Sequence, residues 1–462
     1  MHMAKGFVCF AALLVLAAGC AFVPGEKAAL ETWRREQARL PGRELAAEKD
    51  DVGVVPPDLT ERSTLEDCVR YGLLNNPGLR AAFDRWKATL EKVEPARTLP
   101  DPLLTYGYFI EQVETRVGPQ RQKIGVMQMF PWLGKLDLRG RMALEEANAA
   151  QQQYEAAKRA LIHKIKTAYC EYWYLDQAIR VTQENVELLA YLENVALTRY
   201  AAGAGEYGSV IKAQVEMGKL DDRLASLRDL ERPVLAQLNA SLNRPPDAPM
   251  PGARALPEEE FEISRERLLE DLRKSNPSLK ALDFMASKEE LAIELARKNF
   301  FPDVSLGVDY IDTHGSRPNG MMPNPPDSGK DPVVAMISIN LPVWHRKYRA
   351  IRREAEARRR AAAEERENLE NELTSELEMA LYELRDAERK IALYRDTLAP
   401  KAEQSLNVAQ QAFAVDKVDF LDLIDAQRML LEFQLAVERA RADRAQRLAQ
   451  IEKLTGGDAL AP

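Results

Sequence analysis

Four aspartates, Asp416, Asp419, Asp422 and Asp425, recur every three residues near the C-terminal end of this 462-residue chain. Just ahead of a helix, such carboxylates accept from free backbone N–H groups and stabilise the first turn by about 0.3–1 kcal/mol. Brought together at a narrow opening, they would repel one another and draw in cations. Capping is the preferred reading for Asp416 and Asp419. Other reactive patterns are missing. There is no Gly-rich phosphate loop, no His-Glu-x-x-His and no paired-Cys motif. His163, His314 and His345 are far apart. Met127 and Met129, or Met321 and Met322, could offer soft thioether contacts to copper or silver, but wall and loop filling explains them better. Cys9 and Cys20 lie in an apolar leader, and Cys68 and Cys170 are too widely spaced to read as a disulfide framework or zinc site. The expectation is a non-enzyme without metal or cofactor. A net charge of −8, with signs interspersed, gives no basic stripe for nucleic acid.

The N-terminus reads as an address. Lys5 precedes an apolar run from Gly6 to Ala18, too short to span a bilayer and suited to a signal-peptide core. The run ends in Leu16-Ala17-Ala18-Gly19-Cys20, which resembles a bacterial lipobox, with Leu one place further from Cys than usual. That resemblance implies a signal peptide over 1–19, acylation of Cys20, and, with Ala21 next, sorting to the outer membrane. An ordinary secretory signal with an incidental Cys is the alternative. No later stretch approaches 18 consecutive apolar residues. Any crossing of a membrane would therefore have to use strands.

The chain repeats itself. Asn75-Asn76-Pro77 matches Ser275-Asn276-Pro277, and Ala96-Arg97 before Pro100-Asp101 matches Ala296-Arg297 before Pro302-Asp303. Phe130-Pro131-Trp132 matches Leu341-Pro342-Val343-Trp344, and Tyr200 to Gln214 matches Phe413 to Gln427. The organisation expected is a lipid-anchored segment over 20–63, a first copy over 64–243, a Pro-rich linker over 244–263 and a second copy over 264–458. Each copy reads helix, strand, strand, long helix, turn, helix. Apolar residues from Tyr154 to Leu189 and from Leu369 to Leu398 fall at spacings of three, four or seven, a coiled-coil-like pattern. The long helices, about Gly134 to Tyr200 and Lys347 to Phe413, would each run roughly 100 Å at 1.5 Å per residue.

Between the helices the period changes to two. Val304, Leu306, Val308 and Tyr310 alternate with polar or small residues, as do Ile337, Ile339 and Leu341. Leu104, Tyr106, Tyr108 and Ile110 form one face of an earlier strand, whereas Gln128 interrupts the Ile124 and Val126 face. One apolar and one polar face mark a wall between lipid and water. Pro100, Pro131, Pro302 and Pro342 mark the junctions, and Trp132 and Trp344 lie where a membrane-interface belt would sit. The stretch from Asp312 to Asp331 reads as an exposed outer loop. Four strands cannot close a membrane barrel, since the smallest have about eight, and an eight-stranded barrel is filled by its own side chains. A conducting pore therefore requires at least three chains.

From about Leu65 to Asp458, plus the lipobox, the chain resembles the TolC-like outer-membrane efflux channels. The carriers are the Asn-Pro helix starts at Asn76 and Asn276, the Phe130-to-Lys135 junction, the turns ending in Ala213-Gln214 and Ala426-Gln427, and above all the duplicated plan. The resemblance implies a mainly α chain of duplicated helical hairpins forming an α-helical barrel, with four strands per chain in a trimeric 12-stranded β-barrel. It also implies a homotrimer docked onto a periplasmic adaptor (membrane fusion) protein and an inner-membrane pump of resistance-nodulation-division type. It carries a periplasmic gate over to Asp422, Asp425 and Phe413, and an adaptor-contacting tip to Gly203, Gly205, Val415 and Lys417. The chain departs from the family in having Phe413 where Tyr is expected and Val418 where Arg is expected, which argues against a polar latch at those two positions. Drug, metal and protein export share this architecture; the Phe130-to-Lys135 junction leans towards metal efflux. A lipid-anchored coiled-coil tether without a pore remains the rival reading.

Overall fold

The computed structural model describes residues 25–39, 59, 63–203, 205–250, 256, 264–315, 326–415 and 417–456. Cys20, Asp416, Met321 and Met322 lie outside the described residues. The helices are α1 (Glu26–Arg39), α2 (Leu65–Asn75), α3 (Pro77–Leu90), α4 (Val93–Arg97), α5 (Lys135–Ala201), α6 (Tyr207–Leu242), α7 (Arg265–Ser275), α8 (Pro277–Lys298), α9 (His345–Leu393), α10 (Ala399–Ala414) and α11 (Phe420–Thr455). The strands are β1 (Leu103–Thr115), β2 (Gly118–Phe130), β3 (Val304–Thr313) and β4 (Val333–Ile339). The expected order of elements appears in both halves. One difference lies in the second long helix, where a π-helical turn, Tyr394–Leu398, separates α9 from α10. Pro400 follows it; having no N–H, it cannot continue the i→i−4 ladder, and the wider turn absorbs the break.

The chain divides into two compact units, each drawing on both sequence copies. The unit with Arg85–Gln151 and Ala281–Arg366 carries the strands. They form one antiparallel sheet in the order β1-β2-β3-β4, so β2 of the first half pairs with β3 of the second. Tyr106 is opposite Ile124, Ile124 opposite Tyr310, and Tyr310 opposite Val333. These residues, with Leu104, Val126, Val308 and Ile337, form an exposed apolar face. On the other face Asp309 pairs with Lys123 above Gly125, where any Cβ would collide with the Asp309 carboxylate. Gln128 falls on the apolar face, as its position requires, but is buried and donates to the carbonyls of Pro100 (2.8 Å) and Met129 (2.9 Å). Met127 is half-buried and Met129 exposed, two positions apart on the same face of β2.

Below the sheet the two halves meet at one carboxylate. Asp303 Oδ1 accepts from the Trp132 N–H at 2.8 Å and from the buried Lys135 ammonium at 2.8 Å, while Lys135 also donates to the Phe301 carbonyl at 3.0 Å. Trp132 stacks on Phe301, ring centroids 5.2 Å apart and 12° from parallel. The same unit holds α1: Glu26 is buried against Arg97 at 3.0 Å, and Ala29 packs with Leu90, Val93, Leu144 and Ala147.

The second unit holds Glu36–Asp84, Gln152–Lys280 and the chain from Glu367. Here the duplication is atomic. Asn76 donates to the Ser241 carbonyl (2.9 Å) and accepts from Leu79 N (3.1 Å); Asn276 donates to the Leu454 carbonyl (2.8 Å) and accepts from Ser278 N (2.9 Å) and Leu279 N (3.3 Å). Each asparagine thus caps the helix that its proline starts and clamps the end of the last helix of its copy. Those last helices both end in a left-handed residue, Asn243 and Gly456. At Gly456 a Cβ would stand 2.5 Å from the Ser275 carbonyl oxygen, so glycine is required for approach as well as for φ. No helix among the described residues is long and apolar enough to cross a membrane. Cys68 and Cys170 are free and buried, and burial pushes their thiols up to about 11 and about 12. Replacing Asn276 by Ala orphans a buried carbonyl and two N–H groups and should destabilise the protein by about 1–3 kcal/mol. Asn276→Asp, which keeps the acceptor, should lose less; chemical denaturation followed by circular dichroism checks the order.

Candidate functional site

The candidate site is the end of the second unit where α5 turns into α6 and α10 turns into α11. Both turns are short and rest on one apolar core, in which Leu192, Ala196 and Val210 meet Leu406, Phe413, Phe420 and Leu423. Gly203 takes a positive φ of 71° in open space, which lets α5 end within one turn. Tyr200 and Tyr207 pack across that turn with centroids 5.0 Å apart. In the second turn Val415 is exposed, and its N–H and that of Lys417 both return to the Ala412 carbonyl, at 3.2 and 2.9 Å. Gly205, Lys417 and Asp419 line a shallow cavity of about 590 Å³ together with Arg199, Glu206 and Phe413. The four tip residues expected from the sequence are therefore on the two turns, with Gly203, Gly205 and Lys417 around one concavity.

Asp419 is the N-cap of α11: its carboxylate accepts from the Phe420 N–H at 2.6 Å and also pairs with Lys212 at 3.5 Å. The capping reading of Asp419 agrees with this geometry. Asp422 and Asp425 follow on the exposed side of α11, beside exposed Leu421 and Met429. Asp422 forms no ion pair among the described residues. Asp425 pairs with Arg428 at 3.1 Å. Phe413 is not brought to these aspartates. It is buried, edge-on to Phe420 at 5.4 Å, with the Arg199 guanidinium 4.6 Å from its ring centre. It anchors the turn from inside, since an aromatic ring between four helix ends gains more from core packing than from water.

Arg428 is the residue that the sequence reading missed. It holds Asp425 on its own helix and, through Nε, the Glu216 carboxylate of α6 at 2.9 Å, with a second nitrogen on the other oxygen. Lys219 joins the same carboxylate at 2.7 Å. The i,i+3 spacing of Asp425 and Arg428 was legible; the partner 212 positions away was not. A forked ionic contact thus ties the two copies at the level of the candidate gate. The Arg428 guanidinium beside it, helped by Lys219 against some desolvation, holds the Glu216 carboxyl below its ordinary value of 4.5. A depressed folded value contributes stability above the unfolded pKa and loses it as pH falls through the folded one. Glu216→Gln should therefore lower the midpoint of unfolding at pH 7, and the gap from wild type should close below about pH 4, as urea titrations at several pH values would read.

In the strand-bearing unit, Trp132 is half-buried under Phe301, whereas Trp344 is largely exposed. Phe300 stacks on His345 (6.4 Å, 15°) and leans on Tyr348 (5.4 Å). Aromatic side chains therefore cluster where the strands give way to helices.

The sequence profile described as outer membrane efflux protein matches residues 71–244 and 268–457. The cobalt-zinc-cadmium resistance protein CzcC of Cupriavidus metallidurans is 23% identical over 427 residues, covering 88% of this chain and 93% of its own length. Among solved structures, a membrane protein from Pseudomonas aeruginosa superposes with a TM-score of 0.73 at 18% identity over 90% of this chain and 97% of that one. The outer-membrane channel OprN gives 0.72 at 15% identity, covering 91% and 100%. At those identities the superpositions speak for the fold, and the profile match, which spans most of the chain, places it: the chain belongs to the outer membrane efflux protein family.

Proposed function

We propose that this outer-membrane efflux protein is one third of a passive conduit: a homotrimer whose pooled strands close a 12-stranded β-barrel and whose paired helices form the periplasmic tunnel. The observation that carries the reading is the open four-stranded sheet, apolar and exposed on one face, with one edge each of β1 and β4 unpaired among the described residues. In hydrocarbon every unpaired backbone group costs several kcal/mol, so such edges must pair with another copy. Three copies supply 12 strands, enough for an aqueous lumen, whereas eight strands leave none.

Efflux through a passive tube draws its energy from elsewhere. We assign that role to an inner-membrane pump of the resistance-nodulation-division type, reached through a periplasmic adaptor that meets the turns at Gly203, Gly205, Val415 and Lys417. Asp422 and Asp425 form the gate, repeated three times around the axis, where mutual repulsion favours opening and bound cations or the Arg428 clamp favour closure. Phe413 supports that gate from within the core, and Trp132 and Trp344 mark the membrane belt. Divalent metal cations are the cargo we favour, because a relative matching most of the chain is a cobalt-zinc-cadmium resistance protein.

Lipid anchoring through Cys20 fits the placement of α1. Its first residue is tied to Arg97, which precedes β1 by six positions. Gly25 is five positions beyond Cys20, a reach of at most about 17 Å, so an acyl chain on Cys20 can enter the bilayer beside the sheet.

Single-channel recording in planar bilayers tests the conduit. Asp422→Ala combined with Asp425→Ala should raise closed-state conductance severalfold; unchanged conductance would remove these residues from the gate, and protein that never conducts would favour the pore-less tether. A deletion strain should become sensitive to cobalt, zinc or cadmium; sensitivity to organic solvents alone would reassign the cargo. For the anchor, native protein should resist maleimide, and denatured mature protein should take up two maleimides, on Cys68 and Cys170, with a diacylglyceryl mass on Cys20. Three adducts and no lipid mass would show an unmodified Cys20.

A further inference from the structure

Immediately after β4 the chain becomes strongly basic. Helix α9 opens His345-Arg346-Lys347-Tyr348-Arg349 and continues through Arg352, Arg353, Arg358, Arg359 and Arg360, with no acidic residue in its first turn. Cations at the start of a helix oppose its dipole, so this composition works against helix stability and needs another cause. Part of the charge is neutralised: Arg352 pairs with Glu356 (3.3 Å), Arg358 with Glu354 (2.7 Å) and Arg359 with Glu290 (3.1 Å). Arg346, Arg349, Arg353 and Arg360 form no ion pair among the described residues, and all four are exposed.

These four share a face. At 3.6 residues per turn they fall within about 60° of one another around the helix. The buried Ala355 and Ala362 and the half-buried Tyr348 and Ile351 lie on the opposite side. The unpaired stripe therefore points away from everything the unit packs against. Just before it stand Leu341, Val343 and Trp344, which are 73%, 59% and 73% exposed and continue the apolar wall of β4. Apolar wall, exposed tryptophan and unpaired cations thus follow one another along a few residues, the order in which a bilayer presents hydrocarbon, interface and phosphate. The first copy has a single cation of this kind, Arg139, in the opening turns of its long helix: Lys135 is buried on Asp303, and Arg141 pairs with Asp137 at 3.9 Å.

We infer that Arg346, Arg349 and Arg353 form a docking surface for anionic phospholipid headgroups of the periplasmic leaflet. It rests on the reading of the sheet as a membrane wall. Guanidinium forks suit phosphate, holding two oxygens at once. Arg360, about 10 Å further along the helix, extends the attraction without reaching the same headgroup. The surface fixes the depth of the protein in the bilayer at the second-copy junction.

The test uses the purified full-length protein in detergent, titrated with dioleoyl phosphatidylglycerol or dioleoyl phosphatidylcholine and read by native mass spectrometry, beside bilayer conductance of the same sample. Wild type should retain phosphatidylglycerol preferentially, the preference should fall as salt is raised, and it should weaken by roughly fivefold for each cation removed in R346Q, R349Q and R353Q. The Lys versions should keep most of the preference. A conducting wild type that binds both lipids equally overturns the inference and leaves the channel standing; protein that never enters a bilayer overturns both. Glutamine variants that keep the lipid preference but shift the reversal potential would place the stripe in the lumen. Variants that lose the oligomer with lipid retention unchanged would place it against a neighbouring copy. Either result overturns the lipid surface.

Discussion

A β-strand leaves half of its N–H and C=O groups for the neighbour on its far side, and hydrocarbon offers none. The sheet of this protein meets that problem at both ends, because among the described residues β1 and β4 each have a neighbour on one side only. Its apolar face is fit for lipid, yet a single chain cannot enter lipid without leaving those groups bare. The unit of function is therefore larger than the unit of sequence. Much else follows from sharing a closed wall among copies. The bare edges of one copy must match those of the next, and every side chain of the sheet recurs once per copy around the wall.

Internal duplication makes such a wall possible from a moderate chain, and the structure shows how the two copies are joined. In one unit Asp303 of the second copy receives the Trp132 N–H and the Lys135 ammonium of the first. In the other, Asn76 and Asn276 perform the same capping and clamping within their own copies. The first arrangement unites the halves and the second preserves their identity. The copies have also diverged where each meets a different demand. Only the second has the π turn ahead of Pro400, and only the second begins its long helix with a run of unpaired arginines.

The tip combines a firm interior with a charged exterior. Phe413, Phe420 and the Arg199 guanidinium fill the space between the helix ends, so the turns are held by burial rather than by surface contacts. Outside, Arg428 bridges Glu216 and Asp425 while Asp422 is left without a counter-ion among the described residues. The guanidinium holds both carboxylates at once, so the acidic surface is only partly neutralised.

Periodicity carried most of the architecture in the open. Spacings of three and four built α5 and α9, alternation built β3, and the matched Asn-Pro steps announced the duplication; each is a local relation between near neighbours, which a linear reading can see. Asp419 as a cap was legible for the same reason. Other features depend on partners that approach only after folding: the pairing of β2 with β3 across the copies, the docking of α1 on Arg97, and the bridge from Arg428 to Glu216. Phe413 is the clearest instance. Its position in the chain places it at the turn, but whether an aromatic there faces an opening or a core is decided by the helices around it, and four converging helix ends bury nearly all of its ring.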